Sequence, residues 1–342
     1  MAWLGHSILQ FVKQRHFKIG KRLLSTIALT LFLTLSVGIP SVAAGDWSGE
    51  SNPGAYRFNV GTFKVATISD GLLKVPPLPI YAPIADPEDV KRAMIERFWS
   101  ADELFLYFNA LYIDTGAHKV LIDTGAGVEL GAGLAKLTRN LRSVGVQPQD
   151  IDTVILTHAH PDHIGGIVAT DGRLTFPNAK YYISDAEWQF WTAPTIDLSS
   201  LKIPDPFKQG IIAAARKHLG AIGNQINRFQ PDQEIIPGIT SIAAAGHTPG
   251  QAAFRITSDQ TQLIVTADVF FNEALDLEHP EWQTGFDFNP QQAAATRRRL
   301  LQQIVADRTM VIAYHMPFPA LGHVRSQGDH YQWEPVQWEF TP

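Results

Sequence analysis

The chain has 342 residues, is 45% hydrophobic and 18% charged, and carries a formal net charge of −5. That composition is ordinary for a globular protein, excludes a low-complexity or collagen-like chain, and gives ample length for a buried core. There is no cysteine, which rules out disulfides, thiolate metal ligands and a thiol nucleophile.

The first element is chemical rather than structural. Residues 1–44 hold Lys13, Arg15, Lys18, Lys21 and Arg22 with no acidic residue, then the apolar run "LLSTIALTLFLTLSVGI", Pro40 and "SVAAG". Basic, apolar and small-residue regions in that order read as a secretory signal, 1–44, cleaved near Ala44. A retained anchor is the alternative, because the apolar run approaches a spanning length. Cleavage removes five positive charges and takes the net charge from −5 to about −10. An exported, periplasmic or secreted domain over 45–342 that is this acidic is a poor partner for nucleic acid or an anionic membrane. A small-molecule substrate is the expected partner, with no stable membrane association once the signal is gone.

From Tyr56 to Leu73 the pattern alternates as strands do, with Asp70-Gly71 as the hairpin signal. A Pro-rich connector, "VPPLPIYAPIADP", follows, and Asp86-Pro87 opens a helix through "EDVKRAMIERFW". Connector and helix are candidate contacts for a homodimer. Two strand-like runs around Thr115-Gly116 come next, the second ending at Asp123 and a Gly-rich loop. A helix carries Leu134, Leu137, Leu141 and Val144 on one face. "DTVILT" is then a short strand buried on both sides. Beyond it, Ser184 caps a helix with Trp188 and Trp191, "FKQGIIAAARKHLGAI" is helical with His218 on its polar, solvated face, and Asn289-Pro290 caps the last helix. Strands and helices in this rhythm give an α/β chain with two sheets inside and helices outside.

The chemistry concentrates at "THAHPDHIGG", Thr157–Gly166. Residues two apart on an extended chain face the same way, so His158 and His160 point together. Pro161 then breaks the strand and lets Asp162 and His163 turn toward the same volume. Imidazole and carboxylate suit zinc and similar divalent ions; the alternative is a hydrogen-bonded polar turn. If ions are held here, further ligands must come from the ends of other apolar strands. His247 follows "ITSIAAAG", Asp268 ends "LIVTAD" and His315 follows "TMVIAY". A carboxylate at the end of a buried strand is costly unless paired or coordinated. Thr157 and Thr248 are placed to orient ligands.

These motifs, in this order over residues 55–342, resemble the metallo-β-lactamase superfamily. The resemblance implies an αβ/βα four-layer sandwich, two mixed sheets with helices on their outer faces, and a two-metal site at one edge. It assigns His158, His160 and His247 to one ion, Asp162, His163 and His315 to the other, and Asp268 as the bridge. It makes Asp123 a brace behind the ligands. Zinc is the first choice of ion, with iron, manganese or cobalt as alternatives. Asp162 and Asp268 are the carboxylates expected at the chemistry, where a hydroxide held between two ions attacks the substrate.

Within that family, two branches fit. "ISDG", "VLIDTGAG", "GHTPG" and the ending "HMPFPALGHVR" with "YQWEPVQW" are similar to exported methyl parathion hydrolases, which implies organophosphate triester or ester substrates. The alternatives are an acyl-homoserine lactonase and a metal-binding protein without turnover. Lactonases commonly place a tyrosine three residues after the bridging aspartate, and here that position is Phe271. Trp188, Trp191, Phe207, Phe270, Phe271 and Phe318 are the expected aromatic lining of a substrate pocket.

Overall fold

The computed structural model describes residues 52–131 and 133–340; the segment read as a secretory signal lies outside them. Two seven-stranded sheets share one apolar core. The first takes its strands in chain order: β1 (Ala55–Val60), β2 (Phe63–Val75), β3 (Leu104–Asp114), β4 (Lys119–Ile122), β5 (Thr153–Ile155), β6 (Lys180–Ser184) and β7 (Ile226–Phe229). The second does the same with β8 (Glu234–Ile236), β9 (Ile239–Ala243), β10 (Ala252–Ser258) and β11 (Thr261–Val265). It continues through β12 (Met310–Ile312), β13 (Leu321–Gln327) and β14 (His330–Pro335). The helices are α1 (Pro87–Glu96), α2 (Leu137–Ser143), α3 (Pro161–Ile164), α4 (Asp185–Thr192), α5 (Asp205–Ile222) and α6 (Pro290–Asp307).

The two-residue side-chain period sorts each strand between two cores. In β3, Leu111 and Ile113 enter the core between the sheets. Ala110 and Tyr112 face the layer formed with α2, α4 and α5. That double burial is why "DTVILT" reads as a continuous apolar run. Helix starts follow their capping residues: Asp86, Ser184 and Asn289 each accept a first-turn backbone N–H.

Pairing direction positions the site. β4 and β5 run parallel, as do β11 and β12. Parallel neighbours end at the same edge of a sheet, so the residues that follow them emerge side by side. Asp123 leaves β4 in the left-handed region, with φ at 62°. Such a backbone is costly for a residue with a Cβ and is held by its surroundings. Here its N–H donates to Ile155 O at 2.9 Å.

The structure corrects the reading of Asp70-Gly71 as a hairpin. The β1–β2 turn falls at Gly61-Thr62, flanked by the Val60–Phe63 pair. Asp70-Gly71 is a bulge inside β2, where the register with β3 shifts. The bulge turns the Asp70 carboxylate inward, where it accepts from Ala126 N at 2.9 Å and Leu137 N at 2.8 Å. His218 is a second correction: it is fully buried, with Nε2 3.0 Å from Glu129 Oε1. That hydrogen bond, with the one from Lys217, brings the Glu129 carboxyl down to about 2.

Candidate metal centre

The ligand turn begins where β5 stops. His158 and His160 sit on an extended stretch, and His160 is the N-cap of α3, which carries Asp162 and His163. Gly165-Gly166 close the motif for a steric reason. A Cβ at Gly165 would lie 2.1 Å from Ala126 O, and one at Gly166 would lie 1.9 Å from Thr124 O. The glycines let the turn press against the loop that follows Asp123. The other donors arrive as expected from strand ends, His247 after β9, Asp268 after β11 and His315 after β12.

Among the described residues the donor atoms form two groups, His158–His160–His247–Asp268 and Asp162–His163–Asp268–His315, each within 4.8 Å. Asp268 belongs to both. Its Oδ2 lies 3.4 Å from His247 Nε2, 3.7 Å from His158 Nε2 and 3.2 Å from His315 Nε2. Its Oδ1 lies 3.1 Å from His163 Nε2. Asp162 Oδ2 stands 3.3 Å from His315 Nε2 and 3.4 Å from His163 Nε2. With 16% of its side chain exposed against 3% or less for its partners in that group, Asp162 marks the open side of the cluster.

Tautomers follow from the outer nitrogens. His247 Nδ1 donates to Asp287 at 3.1 Å, His163 Nδ1 to Asp123 at 2.8 Å and His315 Nδ1 to Tyr107 O at 2.7 Å. His158 Nδ1 faces Thr157 Oγ1 at 3.1 Å, and that hydroxyl donates to Asp123 at 2.8 Å. The Nε2 atoms of these imidazoles therefore point inward. His158 Nε2 and His247 Nε2 both approach His160 Nδ1, at 3.1 and 3.0 Å. Three nitrogens this close repel one another unless a cation or proton lies between them. His163 Nε2 and Asp268 Oδ1 are also buried without a hydrogen-bond partner. A donor set of imidazoles and carboxylates with these orphaned atoms fits divalent ions.

Electrostatics divide the two groups. Burial, then the neighbouring His163, holds His158 well below the usual imidazole range; burial and His247 bring His160 to about 3. Those rings are neutral and free to coordinate. Burial alone would lower His163 and His315, but the carboxylates outweigh it. Asp268, Asp162 and Asp123 hold His163 well up, and Asp268 with Asp162 raises His315 to about 9. Burial would likewise raise Asp162 and Asp268, yet the imidazoles keep both well below the carboxylate range.

Two residues of this site carried little signal of their role in the sequence. Glu187 is fully buried and accepts from Ala159 N (2.9 Å), Trp191 Nε1 (2.6 Å), Thr248 Oγ1 (2.7 Å) and Gly250 N (2.9 Å). It ties the His158–His160 turn to the His247 turn, and through it Thr248 acts. Its place three residues after Ser184 resembles an ordinary capping position, which hid it. Asp287 lies between Phe286 and Phe288, and a carboxylate inside an aromatic pair was its only cue.

The aromatic candidates separate. The Phe271 ring lies 5.2 Å from that of His315 and 5.3 Å from that of His247; the Trp191 ring is 5.9 Å from that of His160. Trp188 and Phe207 pack against the helical layer. Phe270 is fully buried in the inter-sheet core near Trp333, and Phe318 packs against that core near Trp338. These two were expected in the pocket because they neighbour ligands in sequence; the alternation of the chain turns them away.

The family model described as Metallo-beta-lactamase superfamily matches residues 106–315. An N-acyl homoserine lactonase of Bacillus thuringiensis is 24% identical over 218 residues, 60% of this chain and 76% of that protein. The solved structure of AidC, a dizinc quorum-quenching lactonase with a product bound, superposes with a TM-score of 0.79 at 26% identity, covering 84% of this chain and all of that one. The hydrolase AbOPH in the beta lactamase superfamily superposes with a TM-score of 0.77 at 26% identity, over 85% of this chain and all of that one. The two relatives here that are named for a substrate are lactonases, which corrects the ranking of the methyl parathion hydrolase branch above the lactonase branch.

Proposed function

We infer, since the chain belongs to the metallo-beta-lactamase superfamily, that its paired histidine–aspartate groups hold two zinc ions and hydrolyse the ester ring of acyl-homoserine lactones. That it is a metal-dependent hydrolase of ester bonds is the coarser statement, and it stands on the family and the donor set together. The lactone class rests on the named relatives. The observation that carries the two-ion reading is Asp268, whose two oxygens face both imidazole groups at once.

His158, His160, His247 and Asp268 would hold one ion, Asp162, His163, His315 and Asp268 the other. Two such ions supply Lewis acidity and a water made acidic near neutral pH. The chain's own part is orientation. Asp123 and Asp287 fix the rings of His163 and His247, and Thr157 fixes that of His158. Asp162, the most open carboxylate, is placed to hold the proton of the attacking water. The Phe271 ring, beside those of His315 and His247, gives the ligands an apolar neighbour that suits an acyl chain.

The test is a side-by-side substrate panel with the purified, zinc-loaded protein. Acyl-homoserine lactones should open faster than paraoxon-type triesters are cleaved. The reverse order would return the chain to the organophosphate reading.

A further inference from the structure

A lactone opens by expelling an alkoxide, and the charge building on that oxygen calls for a hydrogen-bond donor. Most of the donors around the ligands are already committed, and the uncommitted Nε2 of His160 is buried. The Tyr314 hydroxyl donates to Asp162 O at 2.6 Å, Thr157 to Asp123 at 2.8 Å, and Thr248 and Trp191 to Glu187 at 2.7 and 2.6 Å. The Nδ1 protons of His163, His247 and His315 are held by Asp123, Asp287 and Tyr107 O.

Tyr81 is different. It stands in the connector between β2 and α1, with its N–H on Pro77 O at 3.0 Å, and the preceding Ile80 O accepts from Gly285 N at 2.6 Å. The Tyr81 ring lies 5.9 Å from that of Phe286, which is 6.3 Å from that of His160. It also packs against the apolar cluster that contains Phe271 and Tyr314, whose rings flank His315 and His163. Its hydroxyl makes no hydrogen bond among the described residues. A phenol is a protonated donor at neutral pH, and burial pushes this one further above its usual range.

We propose that Tyr81 is a catalytic residue of the lactone reaction, its hydroxyl donating a hydrogen bond to the ring oxygen as that oxygen leaves. The proposal rests on the lactonase reading above. In the step, hydroxide from water bonds to the acyl carbon, the acyl C–O bond breaks, and its electron pair goes to the ring oxygen. The water's second proton ends on that oxygen, Tyr81 keeps its own, and the product is the N-acyl homoserine.

The experiment compares wild type with Tyr81→Phe as folded, zinc-loaded proteins of equal metal content. Two substrates are used: an acyl-homoserine lactone, and 4-nitrophenyl acetate, whose phenolate leaves without help. The expected result is a loss of about 100-fold in lactone kcat with the aryl ester rate nearly unchanged. Calorimetric affinity for the ring-opened N-acyl homoserine should fall in the same variant. A second variant with 3-fluorotyrosine placed at 81 keeps the packing, strengthens the donor and should raise the lactone rate alone. Equal loss on both substrates, or no loss on either, would overturn the role of Tyr81 while leaving the lactonase reading in place. A wild type that opens no lactone overturns both, so the two failures are distinguishable.

Discussion

Asp287 does its work one residue removed from the proposed ion: by accepting the hydrogen bond of His247 Nδ1 at 3.1 Å it fixes which nitrogen faces inward. Carboxylate partners of this kind typically tune metal affinity by about 10- to 100-fold. Asp287→Asn should therefore weaken zinc binding by about that factor, read by competition with a chelating dye; an unchanged affinity would remove Asp287 from the site. Glu187 makes a larger demand. Replacing it with alanine strands four buried donors, at about 1–3 kcal/mol each. Glu187→Ala should lower the melting temperature steeply and the bound zinc with it, while Glu187→Gln, which retains one carbonyl acceptor, should lose less. A normal melt for the alanine variant would refute the anchoring role. Neither residue was legible in the sequence, because each acts across the fold. His158, His160, Asp162 and His163 were legible because one turn carries them all.

At the scale of elements, the bulge in β2 anchors the loop that follows Asp123. Burial, against hydrogen bonds from Leu137 and Ala126, raises the Asp70 carboxyl to about 6 from an ordinary 3.8. A carboxyl raised by folding contributes stability that is complete below the ordinary value and is lost as pH climbs through the folded one. The difference corresponds to about 3 kcal/mol. Urea melts of the metal-free protein should thus weaken between about pH 4 and pH 7, and Asp70→Asn should flatten that slope; equal slopes would assign it elsewhere. An Asp-Gly pair inside a strand pattern reads as a hairpin because local signals cannot show that β3 keeps pairing past it. Strand ends were more informative. His247, Asp268 and His315 each close an apolar run, and the parallel pairing of β11 and β12 brings the last two together. His218 shows the converse error: a polar face on α5 became interior once the loop carrying Glu129 lay over it.

For the molecule as a whole, the donors come from both sheets, so ions bound among them would clamp one sheet to the other. Free zinc at a thousand times its dissociation constant would stabilise the fold by about 4 kcal/mol. Chelation should lower the melting temperature, and added zinc should restore it. A melt indifferent to chelator would mean that no ion is held. The two-sheet architecture was readable from the alternation of strands and helices; the partition of aromatics between core and site was not, since Phe270 and Phe271 are neighbours that face opposite ways. The order of the donors along the chain also sets a timetable. The His158–His163 turn precedes His247, Asp268 and His315 along the chain, so it is the first part of the donor set to become available as the chain emerges. A half-made chain has imidazoles to offer but no closed cage, so an early ion would be held loosely and exchanged. Selection of the final ion would wait for β12 to dock beside β11, and the metal supply at that place and moment would decide what the finished protein contains.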